Sequence, residues 1–131
     1  MRLGVMRLRV LGAAALLVSA GVHLRLWFDG VRDQSVGPLF LVNVVAGIVI
    51  AALLVRWEHW IPPFLTLGFG ASTLGAFVLS TTVGLMGIHD HWQGPYVFAA
   101  AAAETVCIVV GGLLLLRAWH PVTEPARVAP Q

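Results

Sequence analysis

Residues 94–116 read GPYVFAAAAAETVCIVVGGLLLL, and this stretch decides the fold. Glu104 is its single charged side chain. A bilayer core about 30 Å thick is crossed by about 20 helical residues, so the run is long enough to span it. Working back along the chain, further apolar runs occupy residues 61–87, 38–55 and 10–28. The second is slightly short, and the first is interrupted near its end by His23 and Arg25. Of 131 residues, 59% are hydrophobic and 11% charged, and the mean hydropathy is +0.89. A water-soluble domain of this size buries only part of its surface and has no place for so much apolar area. The expectation is an all-α integral membrane protein in contact with the lipid bilayer. Residues 29–37, 56–60 and 88–93 are short connections. They force consecutive helices to be antiparallel neighbours, giving an up-down-up-down four-helix bundle over residues 10–117.

The ends of the chain have their own reading. Residues 1–9 form a basic segment carrying Arg2, Arg7 and Arg9. Followed by the apolar run 10–18 and by Val18-Ser19-Ala20, this segment also has the form of a secretory signal peptide, whose removal would leave three spans. Apolar residues resume after that point, at Val22, Leu24, Leu26, Trp27 and Phe28, which favours a full first span. Residues 118–131 form a tail with three prolines, read as disordered from Pro121 onward. Placing both ends in the cytoplasm puts Arg2, Arg7, Arg9, Arg56, Arg117 and Arg127 inside and Arg25 and Arg32 outside. That distribution follows the positive-inside rule and implies a multi-pass protein of the cell membrane. Trp57, Trp60 and Trp119 then mark the inner interface, with His59 and His120 beside them; Trp27, Trp92 and Tyr96 mark the outer one.

The net charge of +2 is too small to point to nucleic acid, and the single cysteine, Cys107, has no partner for an internal disulfide. No nucleophile triad or phosphate-cradling loop is visible. Small residues recur every fourth position: Gly68, Ser72, Ala76, Ser80 and Gly84 in the third run, Ala99, Ala103, Cys107 and Gly111 in the fourth, Asn43, Gly47 and Ala51 in the second. In the first, Ala15 and Ser19 lead at the same spacing to His23 and Trp27. Such ridges let helix backbones approach and mark the faces expected to point inward.

Four polar residues lie on or beside those faces: His23, Asn43, Ser80 and Glu104. Counting from the outer end of each span at 1.5 Å per residue puts His23 and Asn43 roughly 7 Å deep, Ser80 about 10 Å and Glu104 about 12 Å. They form a buried polar layer in the outer half of the bundle. A carboxylate at that depth costs a few kcal/mol and persists when it faces the bundle, meets a cation or takes a proton. His23 is its expected partner, with Arg25 second. His89-Asp90-His91, after the third run, places two imidazoles and a carboxylate close enough to hold Zn or Cu. No cofactor is specified by the sequence.

Gly21-Val22-His23-Leu24, with Gly37-Pro38-Leu39-Phe40 and Asn43, resembles a group of small actinobacterial four-span membrane proteins. In size and span count the chain is similar to the DoxX-like family. The resemblance covers the first two spans best. It implies a compact bacterial four-helix bundle, in some members associated with redox or stress-defence partners, and supplies no catalytic residues. Three functions follow from these readings. The first is an accessory protein that packs into a homo-oligomer or a larger membrane complex. The second is a redox or metal-binding module using His23, His89, His91 and Glu104. The third is a small proton-coupled transporter titrating Glu104.

Overall fold

The computed structural model describes residues 3–120. Four helices, α1 (Leu3–Phe28), α2 (Gly37–Arg56), α3 (Ile61–Thr82) and α4 (Pro95–Trp119), make up most of it. A short 3-10 turn (Val31–Asp33) joins α1 to α2. The described residues hold no strand beyond an isolated bridge between Leu85 and Ile88. The tail from Pro121 onward, read as disordered, lies outside the described residues.

All four helices are long and apolar enough to cross a membrane. Their outward faces are apolar: Val42, Val45, Ile48, Val49, Val109 and Leu116 are each more than half exposed. Burial of such surface is the main force that holds a fold together in water. A surface of this kind is stable against lipid, and the chain is a small multi-pass membrane protein.

Three of the helices begin at a proline. Pro38, Pro62 with Pro63, and Pro95 occupy first turns, where a missing N–H leaves no hydrogen bond unmade. The third apolar run continues to residue 87, but α3 stops at Thr82. Gly84 takes a left-handed conformation (φ 88°) and its N–H reaches back to Leu79 O at 2.9 Å, closing the helix. Met86 (φ 50°) and Gly87 (φ 81°) then form a tight turn. Paired bonds between Leu85 and Ile88 (2.9 and 2.8 Å) hold it. Hydropathy made this segment look like helix; backbone conformation at the two glycines turns it out of the span.

The packing is uneven. α1 lies against both α2 and α4, and α3 lies against α4, while α2 and α3 touch far less. Leu16, Leu54 and Cys107 sit at the centre with no exposed surface, joined by Ala13, Ala51, Val110 and Leu114. Close approach of α3 and α4 occurs at two glycines. A Cβ on Gly70 would stand 2.6 Å from Glu104 O, and one on Gly111 would stand 2.7 Å from Leu67 N.

The ridge expected on the third run does not provide these contacts. Gly68 is exposed with open space above it, and Gly84 lies beyond the helix. The reason is geometric. A spacing of four residues turns about 40° past a full revolution at each step, so a long ridge spirals off any one face. In α4 the same spacing holds over a shorter run, with Ala103, Cys107 and Gly111 all buried. In α2, Asn43, Gly47 and Ala51 are likewise buried.

Arg9, from the basic N-terminal segment, is buried in the bundle. α1 starts at Leu3, so Arg9 lies inside it and is only 6% exposed. Its guanidinium donates to Leu54 O (2.8 Å), Trp57 O (3.0 Å) and His59 O (3.2 Å). A cation is thereby placed on the carbonyl end of α2, where the helix dipole favours it.

Candidate functional site

The polar side chains gather at the end of the bundle opposite Arg9, in two connected parts. The first lies between α1 and α4. Glu104 is 2% exposed and Ser19 has no exposure at all. The Ser19 hydroxyl donates to Glu104 Oε1 at 3.3 Å. Ser19 is also one helical turn from His23, and His23 Nδ1 stands 2.7 Å from Ser19 O. A backbone carbonyl only accepts, so Nδ1 must carry the proton. The 3.5 Å approach of Ser19 Oγ to the same nitrogen is then not a donation into the ring. With Nδ1–H committed to the helix, Nε2 of the neutral imidazole is left as an acceptor.

The second part is a cavity of about 290 Å³ in the sparse seam between α2 and α3. Its walls are largely apolar, including Phe40, Phe69 and Phe77. His23, Asn43 and Ser80 all line it, and the His23 ring packs against Phe40 with centroids 4.9 Å apart. Asn43 Nδ2 donates to Thr73 Oγ1 at 3.2 Å, bridging α2 and α3. Asn43 Oδ1 is buried without a partner. Ser80 Oγ donates to Phe77 O at 2.7 Å and stands 3.1 Å from Asp90 Oδ2. Asp90 N donates to Ser80 O at 3.0 Å. This pins the 83–94 loop over the cavity, and Leu85, Ile88 and Asp90 complete the lining. Ser35 Oγ, from the other connection at this end, donates to Met86 O at 2.7 Å.

The polar layer expected from the sequence is therefore brought together only in part. His23, Asn43 and Ser80 share the cavity; Glu104 is not in its wall and joins the set through Ser19. In the sequence Ser19 reads as a small ridge residue and as part of the Val18-Ser19-Ala20 pattern, and the four-residue step to His23 is the one visible signal of its polar role. Thr73 and the role of Asp90 had no local signature, because each depends on which neighbour the fold supplies. Arg25 does not approach Glu104. It pairs on the exposed surface with Asp29, just past the end of α1, at 3.0 Å.

His89 and His91 are both exposed. The His89 ring covers Gly84, so closely that a Cβ there would meet it at 2.7 Å. Among the described residues no three His, Cys, Asp or Glu side chains come together in a group that could hold a metal ion.

At the opposite end, Arg9, Glu58, His59, Trp60 and Trp119 edge a second hollow. His59 stacks on Trp57 (4.8 Å, 15°) and its Nδ1 accepts from Ile61 N at 3.3 Å. The Arg9 guanidinium is committed to carbonyls, so this end reads as a structural closure of the α2–α3 turn.

Comparison with protein-family models, with curated proteins and with solved structures returns no match to this chain.

Proposed function

We propose that this chain is a small accessory protein of the cell membrane that holds an amphipathic small molecule in the α2–α3 cavity. The arginine distribution supports both termini on the cytoplasmic side. One observation carries the reading: a cavity of about 290 Å³ with apolar walls and a few polar side chains lies where two helices fail to pack. Ligand sites have this character, with apolar lining for affinity and a small number of polar groups for orientation. The seam gives a molecule dissolved in the bilayer a route between the helices. Assembly into a homo-oligomer or a larger membrane complex, and membership of the DoxX-like family, belong to the same proposal. The DoxX-like reading rests on size and span count, beside the resemblance of residues 21–24, 37–40 and Asn43 to small actinobacterial four-span proteins.

The test is a binding measurement on the purified protein in lipid nanodiscs, with Ala76→Phe as the filled variant. Ala76 lines the cavity and is partly exposed, so a larger side chain enters the hollow without displacing core atoms. The expected result is binding of amphiphiles by the wild-type protein and its loss in Ala76→Phe at unchanged helix content. Equal binding by both proteins, or by neither, sinks the reading.

A second reading has its own observation. The run Glu104–Ser19–His23 connects the bundle interior to a residue of the cavity wall. That favours a proton-coupled carrier in which ligand occupancy and the protonation of Glu104 are linked. Glu104→Gln keeps the acceptor for Ser19 and removes the exchangeable charge. Proton uptake on ligand binding that persists in Glu104→Gln excludes this carrier.

A further inference from the structure

The lining of the α2–α3 cavity is chemically one-sided. Its single formally charged side chain is Asp90, and no lysine or arginine reaches it. Most of the other polar groups present acceptors. The Ser72 hydroxyl donates to Phe69 O, and the Ser80 hydroxyl is shared between Phe77 O and Asp90 Oδ2, so neither offers a free hydrogen to a ligand. His23 commits Nδ1–H to Ser19 O, which leaves Nε2 as a lone pair in the neutral ring. Asn43 gives its N–H to Thr73 and keeps Oδ1 without a donor. Turning the amide over would exchange its two ends, but Asp90 would remain the sole charge. Three phenylalanines, Phe40, Phe69 and Phe77, add the electron-rich faces that attract cations.

We infer that the molecule held between α2 and α3 is an amphipathic organic cation, an amine on an apolar body. The inference rests on the cavity reading above and adds the charge of the head group. An anionic head would meet Asp90 with no counter-charge and would cost desolvation without return. A neutral alcohol offers one donor and no positive charge, so the negative charge of Asp90, met only by the Ser80 hydroxyl at 3.1 Å, gains no counter-charge. An ammonium offers three donors and a positive charge, and the remaining carbon skeleton fits the apolar walls. Asp90 sits on the exposed loop that the Ser80 contacts pin over the cavity, so the carboxylate meets a ligand at the edge of the hollow.

The experiment uses the full-length protein in nanodiscs of zwitterionic lipid, with empty nanodiscs subtracted. Three probes share one apolar body: 4-phenylbutylamine, 4-phenylbutanol and 4-phenylbutyrate. The expected result is that the amine binds at least about tenfold more tightly than the other two, the scale of one charge-assisted contact. Asp90→Asn brings the amine down to the level of the alcohol. Asp33→Asn, an equally negative but outlying loop position, leaves it unchanged. Asp90 is solvent-exposed, so its amide variant keeps the fold. Alcohol or carboxylate binding as tight as the amine, or an amine unaffected by Asp90→Asn, overturns the cation assignment and leaves the cavity reading standing. No binding by any probe overturns both.

Discussion

Arg9 shows how much a single side chain can carry in a protein with so few charges. Three backbone carbonyls at the α2–α3 turn, those of Leu54, Trp57 and His59, receive its guanidinium. Truncation leaves these acceptors without their donor and removes a cation from a helix C-terminus. Arg9→Met is expected to cost about 2–3 kcal/mol, the scale of hydrogen bonds to a charged group. Arg9→Lys is expected to recover part of it, because an ammonium cannot reach three separated carbonyls with a planar fork. Unfolding in mixed micelles measures both, and an Arg9→Met protein as stable as wild type refutes the role. Ser19 works at the same scale on the other end. Its hydroxyl bonds Glu104 and its backbone carbonyl holds His23, so one residue links the two, and no composition argument could have singled it out.

Helices α3 and α4 depend on close backbone approach, and the positions that allow it are specific. Gly70 and Gly111 have no room for a Cβ, since the nearest atoms are backbone of the facing helix. Gly68, two residues from Gly70, has nothing within 4 Å. The two glycines therefore make a paired test. Gly70→Ala is expected to separate the helices and destabilise by about 1–3 kcal/mol, the usual cost of overpacking. Gly68→Ala is expected to be neutral or stabilising by up to about 1 kcal/mol, through reduced freedom of the unfolded chain and better helix propensity. Thermal unfolding of the two variants decides it, and equal effects would contradict the observed packing. The four-residue ridge read from sequence predicts the reverse importance for Gly68. It overlooks the drift of a 3.6-residue helix past a four-residue repeat.

At the scale of the whole molecule, four antiparallel helices place Trp119 and the start of α1 at the same end. The α2–α3 turn shares that end, and the loops carrying Gln34 and His91 lie at the other. Single cysteines at Glu58 and Ala118 are expected to resist an impermeant thiol reagent in intact cells. Cysteines at Gln34 and His91 are expected to react. Native Cys107 has no exposed surface and stays silent in this assay. Labelling of Glu58→Cys together with His91→Cys would break the up-down order. The reverse pattern would keep the order and invert the orientation.

Span number and helical class were legible in the order of residues, because a bilayer imposes one length and one polarity on anything that crosses it. Residues 94–116 could hardly be read otherwise. Distance along each span also puts His23, Asn43 and Ser80 near one level, and they line one cavity. What only the tertiary structure decided was partnership. Whether Glu104 meets His23, Arg25 or Ser19 depends on how α1 and α4 are rotated about their axes. A ring of apolar residues with few charges leaves that rotation unmarked in sequence. The same holds for the sparse seam between α2 and α3, since a gap is a property of two surfaces that fail to match. The folding of Asp90 over that gap follows from left-handed glycines at 84 and 87, a backbone choice to which hydropathy is blind.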